Sequence, residues 1–295
     1  MFSLVYTLTF FACGGGASDD GADSDGDDTP VPAAETFAGA PLADLSDGEC
    51  PKLDSPGTRT FSSGGQNREV IIRFPKDKPA KMPVIFFWHG LGDSAANIDS
   101  YLDLKGFAED YEAVVVVPQS TDPSMFTWSY TAGSSDVTFY DDMRTCLHEG
   151  LDVDLNRFTT TGFSFGGLFT TYLTMVRADT LSAAAPLSGG VDPGIGLAYQ
   201  TPDVALPVLV MWGGSSDTYG SGFTAVDFEE TSLDFAEALQ DDGSLVALCD
   251  HGGGHTLPFD LEDSLAPWLL DHRYGEPSPF ADGLSGFPSY CSLAD

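Results

Sequence analysis

The chain is 295 residues long and carries a formal net charge of −33, from 45 acidic residues against 12 Lys and Arg. With no basic patch to neutralise phosphates, nucleic acid is excluded as a partner and an anionic membrane surface as a docking site. The acidic bias runs through the whole chain. It reads either as adaptation to high salt, where screening removes the cost of self-repulsion, or as compositional drift.

Residues 2–12 are apolar or small and lead into Phe11-Ala12-Cys13-Gly14. Residues 1–13 therefore read as a bacterial lipoprotein signal remnant with Cys13 lipidated, although a positively charged n-region is missing. The other reading is an unprocessed N-terminus. The stretch is too short to span a bilayer as a helix. Residues 14–49, rich in Gly, Ala, Asp, Ser and Pro, are expected to be a disordered acidic linker. The folded domain is placed at residues 50–274, a length that suits a single domain, and residues 275–295 form an irregular tail.

Within the domain, residues 68–74 alternate as a strand does. Residues 82–88 are continuously apolar, as in a parallel strand buried on both faces. Residues 97–111 have helical spacing, with Leu102, Leu104, Phe107, Ala108 and Tyr111 on one face. Residues 113–117 form the next buried strand, which stops at Pro118. A polar and aromatic stretch, 119–138, precedes an amphipathic helix over 139–150. Further strands are expected at 183–187, 208–212 and 244–249, and further helices at 168–176, 228–239 and 261–274. Alternating strands and helices at this spacing predict an α/β fold, a mostly parallel sheet covered by helices on both faces.

Five cysteines are present: Cys13, Cys50, Cys146, Cys249 and Cys291. With Cys13 set aside, four remain, enough for two disulfides in an oxidising compartment. Three connectivities are possible, of which Cys50 with Cys146 and Cys249 with Cys291 is preferred. None of the spacings is that of a zinc or redox motif.

The most informative stretch is Thr159-Thr160-Thr161-Gly162-Phe163-Ser164-Phe165-Gly166-Gly167. A strand delivers Ser164 into a glycine-flanked turn and a helix follows at once, the arrangement of a nucleophile elbow. A Cβ two residues before or after the serine would collide with the neighbouring backbone, which explains Gly162 and Gly166. The plainer reading is a glycine-rich turn with an incidental serine. Asp217 and His255 follow in the order Ser…Asp…His. A serine hydroxyl needs a base to take its proton; a neutral imidazole can do so near pH 7, with a buried carboxylate fixing its tautomer. His255 sits in the loop His251-Gly252-Gly253-Gly254-His255, past a strand end, with His251 as its competitor. Asp217 follows the strand ending at Trp212; its other reading is a turn-capping residue. Asp192, Asp203 and Asp227 are the alternative acids.

His89-Gly90-Leu91-Gly92-Asp93 closes the 82–88 strand. The backbone N–H groups of Leu91 and Phe165 are assigned to an oxyanion hole, with Gly92 as the alternative to Leu91. His89 reads as a structural hydrogen-bonding residue; paired with Asp93 as metal ligands it lacks a third partner. Trp128, among Phe126, Tyr130, Phe139 and Tyr140, either walls an acyl pocket or packs its loop onto the helices. Tyr219 and Phe223 would form the opposite wall.

Three motifs, Pro83-Val84-Ile85-Phe86-Phe87-Trp88-His89-Gly90-Leu91-Gly92-Asp93, Thr161-Gly162-Phe163-Ser164-Phe165-Gly166-Gly167 and Gly254-His255-Thr256-Leu257-Pro258, together resemble those of secreted esterases. The group is that of polyhydroxybutyrate depolymerases and feruloyl esterases, within the α/β-hydrolase superfamily. The match spans residues 50–270. Trp212-Gly213-Gly214-Ser215-Ser216-Asp217-Thr218 is similar to the family's acid loop, although Tyr219-Gly220 replaces its usual apolar continuation. The resemblance implies a cofactor-free, metal-free serine esterase working through an acyl-enzyme. Its substrates would be feruloyl, acetyl, polyhydroxyalkanoate or other short-chain or aryl esters, small or polymeric. The rival readings are a serine peptidase or acyltransferase of the same fold, and a non-catalytic surface binding lipoprotein. The chain is taken as a monomer, exported and either secreted or held at the bacterial cell envelope through its lipid alone.

Overall fold

The computed structural model describes residues 37, 39–125, 127–221 and 225–294. The expectations for residues 1–36, Cys13 included, and for Phe126 and Phe223 lie outside them. The main sheet contains β1 (Gly57–Ser63), β2 (Gln66–Arg73), β3 (Met82–Trp88), β4 (Val114–Pro118), β5 (Val153–Phe163), β6 (Ala183–Leu187), β7 (Val208–Trp212), a short pair β8 (Thr218–Tyr219) and β9 (Val226–Asp227) standing apart from it, then β10 (Val246–Asp250) and β11 (Cys291–Leu293). Among the described residues the sheet runs β1-β2-β4-β3-β5-β6-β7-β10-β11. The six strands from β4 to β10 pair in parallel, while β1, β2 and β11 add antiparallel edges.

All residues of β3 and β4 are buried, as their unbroken apolar runs require. Val84, Phe86 and Trp88 share a core with the helices α3 (Ser135–Gly150), α4 (Phe165–Val176) and α5 (Phe228–Asp241). Ile85 and Phe87 point to the opposite face, into a second core with α1 (Ala95–Tyr101), α2 (Leu104–Asp110) and α6 (Leu261–Asp271). Successive strand residues thus serve two layers. The helix expected over 97–111 is two helices. Asp103 breaks it with φ 44 in the left-handed region, and its side chain accepts the Gly106 N–H to cap α2.

Two expected boundaries differ from the structure. Residues 39–49, placed in the linker, pack on the folded unit. Ala40 N–H donates to the Asp179 carbonyl at 2.8 Å, and the Ser46 backbone and hydroxyl both donate to the buried Asp142 carboxylate. Leu45 is partly buried against the core. A buried carboxylate needs donors, and this segment supplies them. The tail is not irregular throughout: β11 pairs with β10 and extends the sheet. Disulfides join Cys50 to Cys146 and Cys249 to Cys291, the second pair facing each other across β10 and β11.

Candidate active site

Ser164 lies between β5 and α4 with φ 57 and ψ −119, a conformation a side-chain-bearing residue rarely adopts. Neighbouring backbone enforces the turn. A Cβ on Gly162 would stand 2.6 Å from the Gly166 carbonyl oxygen, and one on Gly166 only 2.0 Å from that of Trp88. Ser164 N–H is held by the Leu187 carbonyl of β6 at 2.9 Å. Its side chain is thereby presented at the C-terminal end of the sheet, where β7 and β10 also deliver their loops.

Those loops meet it. The Ser164 hydroxyl is 2.9 Å from His255 Nε2, and His255 Nδ1 is 2.6 Å from Asp217 Oδ1. An ionised carboxylate accepts only, so Nδ1 carries the proton and Nε2 offers its lone pair to the serine. Gly254 N–H donates to the Gly213 carbonyl at 2.8 Å, tying the base loop to the acid loop. The imidazole is held between Phe228 and Phe163, with ring centroids 4.7 and 4.8 Å away. Asp217 is fully buried. Burial alone would raise its pKa, but hydrogen bonds from His255, Gly213 N–H and Ser188 outweigh it and hold the carboxyl below its ordinary range. Gly213 N–H and the Ser188 hydroxyl both donate to Oδ2, at 2.8 and 2.7 Å.

The loop after β3 approaches the serine closely: a Cβ on Gly90 would lie 3.5 Å from the Ser164 Cβ. Gly92 N–H is spent on the Met125 carbonyl at 2.8 Å, which removes Gly92 as the alternative oxyanion donor. No acceptor among the described residues takes the Leu91 or Phe165 N–H. Phe165 opens α4, where a helix leaves its first N–H groups unpaired. Both amides therefore remain available to a developing oxyanion.

The other candidates fall elsewhere. His251 accepts the Gly253 N–H within its own loop and packs near Tyr290. Asp192 caps a local turn through Gly194, Asp227 caps the N-terminus of α5 through Glu229 and Glu230, and Asp203 is exposed. Buried His89 donates from Nδ1 to the Gly90 carbonyl and accepts Ser120 N–H at Nε2; burial pushes its pKa down. Trp128 is packed into the core beneath its loop. It is 2% exposed, packs against Trp88, and donates its indole N–H to the His89 carbonyl at 2.8 Å, bracing the loop after β3 from behind. An indole N–H taken out of water needs such an acceptor. Tyr219 is half exposed, 5.8 Å from the His255 ring, at the rim of the site.

The sequence reading missed Phe228 and Ser188. The Tyr130 ring lies 5.6 Å from Phe165, and its hydroxyl donates to the Ile195 carbonyl. An apolar cleft of about 400 Å³ opens between α2 and α6, below Leu257 and Phe259, and includes no triad residue. Among the described residues no group of three or more His, Cys, Asp or Glu could hold a metal ion.

No protein-family model matches the chain. Feruloyl esterase D of Neurospora crassa is 30% identical to it over 155 residues, 48% of this chain and 52% of that protein. The chain thus spans about half the length of that relative. Probable feruloyl esterase C of Aspergillus terreus is 27% identical over 234 residues, covering 70% of this chain and 85% of that protein. Among solved structures, native sOPH superposes with a TM-score of 0.66 at 19% identity, over 81% of this chain and 94% of that one, a likeness of fold.

Proposed function

We propose that this chain, an α/β-hydrolase with feruloyl esterases among its relatives, hydrolyses carboxylic esters through an acyl-enzyme on Ser164. The carrying observation is the unbroken hydrogen-bond chain Ser164–His255–Asp217 beside two unspent amides. Ser164 attacks the ester carbonyl while His255 takes its proton. Leu91 and Phe165 N–H groups bind the oxyanion as it forms. His255 then protonates the departing alcohol, and water activated by the same imidazole releases the acid. Substrates of this reading are feruloyl, acetyl, polyhydroxyalkanoate or other short-chain or aryl esters.

A fluorophosphonate probe should label the protein at Ser164, and an aryl ester should turn over far faster than its matched anilide. Labelling without ester turnover would favour a transferase that needs an alcohol acceptor. Preference for the amide would make it a peptidase, and no labelling at all a binding protein.

Export belongs to the same reading. Two disulfides persist in oxidising compartments, and the apolar run ending at Cys13 supports a lipid anchor on the bacterial envelope. Cys13→Ser, expressed in a bacterial host, should move from the membrane pellet to the soluble exported fraction. An unchanged distribution overturns the anchor.

A further inference from the structure

The turn after β6, Leu187-Ser188-Gly189-Gly190, touches both Ser164 and Asp217. The Leu187 carbonyl holds Ser164 N–H, and the next residue donates its hydroxyl to Asp217 Oδ2 at 2.7 Å. Ser188 N–H donates to the Met211 carbonyl of β7. Gly190 N–H donates to the Thr171 hydroxyl on α4, and the Thr231 hydroxyl on α5 donates to the Gly189 carbonyl. The turn is therefore fixed against the nucleophile helix, the acid strand and α5 at once.

Ser188 itself has φ 46 and is 1% exposed. Left-handed backbone favours glycine, which fills the next two positions, yet here the chain carries a side chain. What that side chain adds is one donor to a buried carboxylate. We propose that Ser188 is a positioning residue of the triad: its hydroxyl fixes the outer oxygen of Asp217, keeps the inner oxygen on His255 Nδ1, and sets the pH at which His255 becomes a competent base. This rests on the triad reading above.

Without the hydroxyl, less of the carboxylate's charge is neutralised on its far side. The imidazolium beside it is then favoured, so the acid limb of kcat/KM moves to higher pH. Other titratable groups facing the pair, His251 on the base loop and Tyr219 on the acid loop, are unchanged by the substitution. His251 already feels Asp217, Asp250 and Asp260.

The test uses Ser188→Gly, which suits φ 46, and Ser188→Ala, which retains the Cβ. Both should lower kcat by about 10-fold, with KM nearly constant, and raise the acid-limb midpoint by about 0.5 pH unit. Ser188→Gly should keep the parent Tm. The His255 ring resonance, titrated by NMR in a Ser164→Ala background, should move in the same direction. A pH profile and ring titration matching the parent in both variants would overturn the proposal. The ring titration needs no activity. Failure of the nucleophile assignment would instead show as ester turnover surviving Ser164→Ala.

Discussion

Ser164→Ala is expected to fold as the parent does and to lose at least about 10³-fold in kcat/KM on a chromogenic short-chain ester. The substitution removes one oxygen and one hydrogen bond, to His255 Nε2. The backbone keeps its φ of 57, enforced by the contacts of Gly162 and Gly166, so the oxyanion amides stay where they are. What survives is the binding and oxyanion contribution, with water as a poorer nucleophile. In the proposed mechanism the three residues act as a unit, so Ser164→Ala with His255→Ala should be little worse than Ser164→Ala alone. Thermal melts of both variants check the fold. Undiminished turnover in a pure sample would remove Ser164 from the mechanism, and multiplicative losses in the double variant would mean the two residues work separately.

The serine turn was legible because its causes are local. Strand, glycine, serine, glycine and helix are consecutive, and the steric demand on Gly162 and Gly166 follows from that adjacency alone. The parallel sheet was legible in β3 and β4 for a similar reason: only a strand covered on both faces is apolar throughout. Features decided by distant partners were not legible. Three residues of β11 carry no strand signal; pairing with β10 and the Cys249–Cys291 bond place them there. Helical spacing runs straight through Asp103, and only its left-handed backbone and its cap on Gly106 show the break. Trp128 in an aromatic loop fits a pocket or a packing role equally well until the His89 carbonyl is seen in front of its indole. Ser188 follows a strand like many serines. Its importance depends on β6 lying next to β7, which brings the Asp217 loop within reach.

Asp217→Asn should cost about 10⁴-fold in kcat at neutral pH while leaving the protein folded. The reason lies on the side of the carboxylate that faces away from the histidine. Two donors, Ser188 hydroxyl and Gly213 N–H, point at Oδ2. An asparagine must turn its carbonyl oxygen toward them, since its amide nitrogen cannot accept. The NH2 group then faces His255 Nδ1, which has to become an acceptor. The ring proton moves to Nε2 and points at the Ser164 hydroxyl, so the imidazole has no lone pair with which to take the serine proton. Asp217→Ala removes the partner without imposing a tautomer. Although asparagine is the closer mimic in shape, its kcat should be no higher than that of the alanine variant. Steady-state kinetics of the two at one pH decide this, and clearly higher activity for asparagine would show that the charge of Asp217 matters less than its shape. The same argument links the two sides of the acid: in Ser188→Gly with Asp217→Asn, one of the two donors that orient the amide is gone, and part of the tautomer penalty should be relieved.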